Sequence, residues 1–441
     1  MRVYQDLIKG LMSLEIDLFP SNYGFVRYFP PLDDLPKVQT NKDREIGFEN
    51  ITGKLALFVY IPFCTGKCSY CFYLKKVNAP RKEVNEYLEC LKKEAEISSK
   101  RINGHRISSV YVGGGTPTYL DAEQLKGLFR IMNSAFDILI DDSFTFEASP
   151  ETLDKEKINI LLDNSVKRIS MGIQSLDDKI LASIERRYTS KEAIKKIMLL
   201  KKNAPSFNLD FIYGLKNQTT LDVMNYLDLI KEIQPPSVTF YQKWFFMKDE
   251  FGTRSQKIKK GESLFGIIAK KELIAETMES LGYLRDGLYR YVKKSADGCA
   301  YCKTVWGDNS CLALGLSAYS YINGVGFQNS KSFAEYQKLL NQNVLPITRK
   351  KILTNEERAI RALVMGLKAN GTKSCGVSIT EIEQRYEVKL TPETEKFINE
   401  LVSIKALTVE NQRLFFTQQG STFAENILLN LTERQCFSGL D

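Results

Sequence analysis

The sequence predicts an α/β fold: a partial (β/α)6 TIM-like barrel followed by a C-terminal winged-helix-like helical module. Three observations predict it. Apolar, β-rich runs recur six times between residues 55 and 243. Amphipathic helical patterns fill the intervals, as βα units require. Beyond about residue 350 the order changes to helices followed by a hairpin.

The predicted strands are 55–61, 107–113, 143–148, 168–174, 207–213 and 237–243. Helices are predicted over 84–97, 123–136, 154–164, 177–184, 190–202 and 220–233. Six such repeats imply a parallel sheet covered by helices, with its chemistry at the C-terminal ends of the strands. An ordinary doubly wound sheet fits the same alternation. The motifs below favour the barrel, because each lies at a strand end. Residues 1–50 form an N-terminal extension expected to pack against the barrel, 51–349 the barrel and its following segment, and 350–435 the C-terminal domain. In that domain helices are predicted over 354–369, 379–386 and 391–404, then a hairpin turning at Asn411 and Gln412, then a last helix over 420–431. The third helix carries Glu393, Glu395 and Glu400 and would repel phosphates, which favours a lid or docking role over DNA binding.

At 43% hydrophobic and 26% charged residues, with no apolar run of membrane-spanning length, the composition is that of a soluble globular protein. A cytoplasmic location is expected, since the chain opens Met-Arg-Val-Tyr-Gln-Asp without a signal-peptide pattern. The net charge of +8 is spread along the chain, and local clusters such as Lys257-Ile-Lys-Lys260 read as solvated loop rather than a nucleic-acid footprint. His105 is the only histidine and sits in a polar stretch, so Ser–His–Asp and His-ligated zinc chemistry are set aside by inventory.

Cys64, Cys68 and Cys71 directly follow the first strand with the spacing C-x3-C-x2-C. Three thiolates can hold three irons of a cubane [4Fe–4S] cluster and leave the fourth open. S-adenosylmethionine can chelate that iron through its amino and carboxylate groups, so that an electron enters the sulfonium and a carbon radical results. Zinc is the competing ligand, but its short sites come as two pairs, and no second pair follows within the usual interval. An odd total of nine cysteines argues for reduced thiols.

Further polar residues gather at the other strand ends. Gly113-Gly-Gly-Thr-Pro-Thr118 follows the second strand, where glycines let backbone N–H groups approach a ligand and Thr116 and Thr118 add hydroxyls. Glu147 ends the third strand, Gln174 ends the fourth, Arg186 lies a helix later, and Asp210 sits in the fifth. A zwitterionic amino acid carrying a ribose needs an ammonium acceptor, a carboxylate donor and hydroxyl partners, which this ring offers.

The strings Tyr60-Ile-Pro-Phe-Cys-Thr-Gly-Lys-Cys-Ser-Tyr-Cys71, Gly113-Gly-Gly-Thr-Pro-Thr118, Glu147-Ala-Ser-Pro150, Met171-Gly-Ile-Gln-Ser175 and Asp210-Phe-Ile-Tyr-Gly-Leu215 resemble those of HemN-like radical S-adenosylmethionine enzymes. The resemblance spans about residues 25–435 and includes Gly315-Leu-Ser-Ala-Tyr-Ser320. It implies that Cys64, Cys68 and Cys71 bind the cluster and that Phe58, Gly114 and Glu147 line the first S-adenosylmethionine. By the same resemblance, Tyr70, Gly115, Thr116, Gln174, Arg186 and Asp210 lie where the family holds a second one.

Departures from the family pattern bear on the reaction. Coproporphyrinogen III dehydrogenases carry a further cysteine two places after the third, where this chain has Phe72-Tyr73, and usually a histidine where it has Tyr60. Phe58 replaces a frequent tyrosine. Haem-trafficking, HemW-like members show a His-Asn-x-x-Tyr-Trp string where this chain reads Cys299-Ala-Tyr-Cys-Lys-Thr-Val-Trp306. By elimination the chain resembles the methyltransferase and cyclopropanase branch, in which a second S-adenosylmethionine supplies a carbon to an sp2 carbon of the substrate. Porphyrinogen oxidation and haem trafficking are the alternatives. Tyr241, Lys243, Tyr319 and Tyr321 are candidates for positioning or proton transfer. Cys299, Cys302 and Cys311 can hold a second metal centre, act as a redox or thiyl pair, or be plain loop thiols. The expected partners are a small apolar or aromatic substrate and a reducing electron donor such as flavodoxin or ferredoxin, with no nucleic acid.

Overall fold

Strand alternation decides which side chains enter the barrel and which support it. In the computed structural model, which describes residues 2–18, 29–46, 48, 51–139, 144–243, 264–294, 298–369 and 376–439, an N-terminal helix α1 (Arg2–Ser13) precedes β1 (Leu55–Ile61). Two short strands, β2 (Phe63–Cys64) and β3 (Lys76–Val77), bracket the cysteine loop. The βα repeats follow: α2 (Arg81–Arg101), β4 (Ile107–Gly114), α3 (Ala122–Ala135), β5 (Phe144–Ala148), α4 (Lys155–Asp163), β6 (Arg168–Gln174), α5 (Asp178–Ser183), α6 (Ser190–Asn203), β7 (Phe207–Tyr213), α7 (Thr220–Ile233) and β8 (Ser237–Gln242). Strands β1, β4, β5, β6, β7 and β8 lie side by side in that order, all parallel.

The helices start where local chemistry starts them. Asp121 with Gln124, Thr189 with Glu192 and Thr219 with Asp222 form reciprocal caps at α3, α6 and α7. Val110, Val112, Phe146, Leu209 and Phe211 point outward into one large core. Phe146 meets Phe129 of α3 at 6.1 Å, and Phe211 stacks on Tyr226 of α7 at 4.7 Å. The period of two therefore turns Phe58, Tyr111, Glu147 and Asp210 inward.

The sheet continues past the six strands on both sides. Next in the chain come α8 (Leu264–Ser280), β9 (Leu284–Asp286), β10 (Arg290–Val292), α9 (Ala300–Trp306), β11 (Ser310–Leu314), β12 (Tyr319–Ile322), β13 (Val325–Asn329), α10 (Phe333–Asn341) and β14 (Ile347–Ile352). β10 joins β8 antiparallel, β11 joins β1 parallel, and β12 to β14 extend that edge as a meander. Helix α9 lies against the inner face of the sheet. Its Tyr301 ring sits 5.9 Å from Phe58 and 5.2 Å from Tyr111, and Thr304 hydrogen-bonds Ser109 at 3.3 Å.

The C-terminal module has its own core. It comprises α11 (Asn355–Ala369), α12 (Ile379–Tyr386), β15 (Val388–Leu390), α13 (Pro392–Ser403), the hairpin β16 (Leu407–Glu410) and β17 (Arg413–Phe416), α14 (Ala424–Thr432) and β18 (Phe437–Gly439). Asn411 and Gln412 turn the hairpin with φ of 49° and 61°, as a tight two-residue turn demands. Tyr4, Leu7 and Leu11 of α1 are buried in this second core with Leu363, Phe397 and Leu401, so the first helix joins the C-terminal module, whereas Ile46 and Phe48 of the same extension are buried in the barrel core, against which the whole extension was expected to pack. A buried ion pair, Lys368 with Glu425 at 3.0 Å, ties α11 to α14, and Tyr289 of the barrel domain donates to the same carboxylate. The Lys257–Lys260 cluster and Ser143 lie outside the described residues. Among the described residues no helix is long and apolar enough to cross a membrane.

Candidate active site

The cysteine loop leaves β1 and is held from several sides. Phe63 and Cys64 pair parallel with Lys76 and Val77, and the Asn78 amide donates to the Cys64 carbonyl at 3.0 Å. Lys75 Nζ donates to the carbonyls of Cys71 and Tyr73 at 3.0 and 3.2 Å, and the Tyr60 hydroxyl donates to Leu74 O at 2.6 Å. Across the barrel mouth, Glu151 accepts from the Thr65 hydroxyl and, at 3.3 Å, from the Arg187 amide. Cys64 is buried; Cys68 and Cys71 are half-buried. Burial pushes the Cys64 thiol up to about 11, and the Cys71 and Cys68 charges add to it. Burial also raises Cys68, whereas Arg186 lowers it. Three thiols within one another's field suit a cationic iron cluster, which removes their protons and their mutual repulsion together. Among the described residues no three Cys, His, Asp or Glu side chains are gathered as tightly as one metal ion requires.

The glycine run shapes this loop directly. A Cβ on Gly115 would stand 2.7 Å from Phe63 O and 2.9 Å from Ile61 O, both backbone atoms. The Gly115 and Thr116 amides donate to those same two carbonyls, at 2.9 and 2.8 Å. Gly115 thus fixes the chain that delivers Cys64, and its N–H is already used. Thr116 Oγ1 reaches Cys64 Sγ at 3.5 Å. We expect Gly115→Ala to leave the barrel folded but to displace the cysteine loop, lowering iron retention after desalting roughly 10-fold or more, as disturbed ligand support does; iron and sulfide assays check it.

Glu147 sits beside the glycines. It accepts from the Tyr111 hydroxyl at 2.6 Å and from the Gly114 amide at 3.2 Å. Burial pushes its carboxyl up to about 7, with the Tyr111 hydrogen bond pulling the other way. A Cβ on Gly113 would meet Glu147 at 2.9 Å, so that glycine makes room for the carboxylate. Phe58 stacks on Tyr111 at 5.8 Å and walls the same space.

Gln174, Arg186 and Tyr70 come together at the end of the neighbouring strand β6. Gln174 has a φ of 67°, a sparsely populated conformation for a side chain of its size, at a register shift that ends β6. A Cβ on Gly172 would stand 2.5 Å from the Gln174 amide nitrogen and 3.3 Å from Arg186, so Gly172 lets both fold over the strand. Arg186 donates to the Tyr70 hydroxyl, and its guanidinium lies 5.6 Å from the rings of Tyr70 and Tyr188. Asp210 lies lower, accepting from Asn208 at 2.8 Å and Ser170 at 3.1 Å. Burial raises its carboxyl, and Arg168 opposes the rise.

The remaining candidates divide. Tyr241 is half open, with its ring 6.0 Å from Tyr289. Lys243 lies near Cys71; burial lowers its ammonium and the Cys71 charge opposes that. Tyr319 and Tyr321 do not join the group. The Tyr319 hydroxyl donates to Phe29 O at 3.2 Å, and Tyr321 is buried in the second core beneath the Arg361 guanidinium, 3.6 Å from its ring. Their surroundings are those of packing residues. Sequence reasoning missed Tyr111, Gly172, Ser170, Asn208 and Arg168. The period of two finds Asn208 counted back from Asp210, Gly172, Ser170 and Arg168 counted back from Gln174, and Tyr111 counted back from Gly113. Cys299 and Cys302 flank a turn of α9 inside the barrel rather than lying in an external loop.

Residues 58–230 match the Radical SAM superfamily model. The chain is 28% identical over 271 residues to the "Heme chaperone HemW" of Buchnera aphidicola, covering 62% of this chain and 71% of that protein. It is 27% identical over 400 residues to the "Oxygen-independent coproporphyrinogen III oxidase" of Pseudomonas aeruginosa, covering 86% of this chain and 85% of that one. Among solved structures it is similar to coproporphyrinogen III oxidase (HemN) from Escherichia coli, with a TM-score of 0.79 at 20% identity, over 94% of this chain and 99% of that one. These relatives bear the names of haem chaperones and porphyrinogen oxidases, so the expected methyl transfer draws no support from them. The superfamily implies a [4Fe–4S] cluster and S-adenosylmethionine. Its cysteine trio, glycine run and whole-length architecture place this chain in the HemN-like family of radical S-adenosylmethionine enzymes.

Proposed function

We propose that this enzyme removes hydrogen from a propionate side chain of a coproporphyrinogen-type tetrapyrrole, leading to oxidative decarboxylation. One observation carries the reading: the likeness to an oxygen-independent coproporphyrinogen III oxidase runs through 86% of the chain, and the fold follows that of a solved one over 94% of it. When bound, a [4Fe–4S] cluster with one open iron supplies the electron that splits S-adenosylmethionine into methionine and a 5′-deoxyadenosyl radical. Cys64, Cys68 and Cys71 would hold it. Glu147, already fixed by Tyr111 and Gly114, accepts from the donor's hydroxyls or ammonium. Phe58 keeps water from the adenosyl face. Tyr70, Thr116, Gln174, Arg186 and Asp210 line the space where a second S-adenosylmethionine would sit, with Gly115 behind them. Tyr241 and Lys243 border the open side, where the substrate enters.

A second reading, methyl transfer to an sp2 carbon, is favoured by one feature: Phe72 and Tyr73, with rings 4.6 Å apart, stand where the oxidases have a further cysteine. Anaerobic incubation with coproporphyrinogen III, S-adenosylmethionine and a reductant separates the two. The oxidative reading predicts carbon dioxide and 5′-deoxyadenosine in step, with no S-adenosylhomocysteine. S-adenosylhomocysteine without carbon dioxide would replace it by the second reading. A Soret band on mixing with haem, with no cleavage of S-adenosylmethionine, would instead indicate haem carriage.

Glu147 makes the reading sensitive to pH. Burial pushes its carboxyl up to about 7, and the carboxylate is the form that accepts from the donor. Below that pH binding must first expel a proton, so the Kd for S-adenosylmethionine should weaken toward roughly tenfold per pH unit. Glu147→Gln should bind more weakly and lose this dependence. Calorimetry between pH 5.5 and 8 checks both.

A further inference from the structure

The floor of the barrel holds a feature that the proposed reaction has not used. Cys299 caps α9 and accepts from the Cys302 amide at 3.4 Å, so the two sulfurs share one turn. Cys299 is fully buried, whereas Cys302 is partly open. The residue between them that faces the sheet, Tyr301, packs on Phe58 and Tyr111, so the pair lies under the pocket that holds Glu147. The Cys299 charge acts on both Tyr111 and Glu147, and that of Cys302 acts on Tyr241.

Two arginines face this pair. Arg168 and Arg290 are 6% and 7% exposed; the Arg168 Nε is buried without a hydrogen-bond partner, whereas the Arg290 Nε is ion-paired with Asp286. Arg290 lies 3.2 Å from Asp286, but no carboxylate lies within ion-pair distance of Arg168 among the described residues. Arg168 also acts on the buried Asp210 carboxyl, so both guanidiniums already have a carboxylate in their field. The Cys299 sulfur lies in the same field: burial acts to raise its thiol, but the hydrogen bond from Cys302 and the charges of Arg290 and Arg168 prevail and hold it well below the usual thiol range. Gly298 keeps the arrangement tight, since a Cβ there would meet Asp286 at 2.6 Å and Lys303 at 2.9 Å.

From this geometry we infer that Cys299 and Cys302 form a redox couple at the barrel floor, whose disulfide accepts the electron released when the substrate radical loses carbon dioxide. The inference rests on the oxidative reading. Cations that stabilise the thiolate make a disulfide easier to reduce, which suits an acceptor. The steps balance as follows. The substrate carbon radical breaks its C–COO bond, forms a C=C bond and releases carbon dioxide, and one electron enters the S–S bond to give a disulfide radical anion. A second turnover delivers a second electron, the S–S bond opens, one proton goes to Cys302, and Cys299 remains as thiolate beside Arg168 and Arg290. An external disulfide of the glutathione class takes the two electrons back and re-forms the bond.

The test uses the full, cluster-reconstituted chain. Protein equilibrated with oxidised glutathione is trapped with an alkylating reagent and mapped by mass spectrometry, which should show a Cys299–Cys302 disulfide in the wild type. The cluster is then reduced with one equivalent of electrons, coproporphyrinogen III and S-adenosylmethionine are added without any other acceptor, and the cycle is repeated once. In wild type each cycle should release up to about one equivalent of carbon dioxide, and Cys302 should become alkylatable after the second. Cys302→Ser and Cys299→Ser should fall at least tenfold below that and recover when a viologen acceptor is supplied, whereas Cys311→Ser should match wild type. A disulfide that never forms, or Ser variants that release wild-type carbon dioxide without acceptor, would overturn the inference. If no protein releases carbon dioxide even with the viologen, the oxidative reading itself fails, and the disulfide mapping alone then decides whether a redox couple exists.

Discussion

Cys68→Ala is expected to fold like wild type yet keep almost no iron and cleave S-adenosylmethionine roughly a hundredfold more slowly or worse. Cys68 is half-buried on a loop and contributes nothing to either hydrophobic core, so its removal spares the fold. With only two thiolates left, the cubane loses an anchoring iron and solvent enters; support residues one layer farther out already cost 10–100-fold when lost. Cys71→Ala should behave alike. Cys64→Ala should add a small loss of stability, because that side chain is buried against the strand end. Visible absorbance, iron content and circular dichroism on the three variants check the set. A brown, active Cys68→Ala protein would contradict the assignment of the trio.

Glu94→Ala should produce the largest loss of stability of any single change considered. Glu94 lies on α2, 2% exposed, and accepts from the Gly315 amide at 2.8 Å, the Asn329 side chain at 2.6 Å and the Tyr336 hydroxyl. It joins α2 to the turn after β11, to β13 and to α10. Alanine leaves the buried Gly315 amide and Tyr336 hydroxyl without an acceptor and Asn329 with only the Gly315 carbonyl, at a cost of roughly 3–5 kcal/mol. A thermal shift of about 10 °C follows for a domain of this size. Burial pushes the Glu94 carboxyl up to about 7 despite these donors. A folded-state value above the unfolded one means that its stability contribution is complete below about pH 4.5 and is lost as pH rises through about 7. Urea titrations should therefore show wild type weakening by a few kcal/mol across that window, and Glu94→Gln, weaker at low pH, should not.

The barrel strands were legible because each is either apolar throughout or alternates cleanly. The runs 55–61, 168–174 and 207–213 coincide with β1, β6 and β7. Helix starts were legible where a side chain caps them, as Asp154 and Thr219 do. The edge meander was not. β14, Ile347-Thr-Arg-Lys-Lys-Ile352, is polar and half-exposed, which suits an edge strand but carries no core signal. Nor was the place of α1, since an amphipathic helix states that it has a partner and not which one.

The site divides in the same way. The cysteines, the glycine run, Glu147 and Asp210 announce themselves by type and position. The residues that make them work are ordinary in sequence: Tyr111 gains meaning only once it is seen to hold Glu147, and Gly172 only once Gln174 and Arg186 fold over it. α9 is the sharpest case. Seven residues with no strong pattern enter the barrel lumen, on a segment whose flanking strands β10 and β11 lie on the two sides of the six parallel strands.

The central claim is an iron cluster held by three thiolates with one corner free for S-adenosylmethionine. Electron–nuclear double resonance on the reduced, reconstituted protein, with S-adenosylmethionine labelled with nitrogen-15 in its amino group and oxygen-17 in its carboxylate, tests it directly. The account predicts hyperfine coupling of both labels to the cluster, absent from Cys68→Ala. A spectrum unchanged by the labelled donor, or purified protein that binds zinc at these cysteines in place of iron, would contradict it.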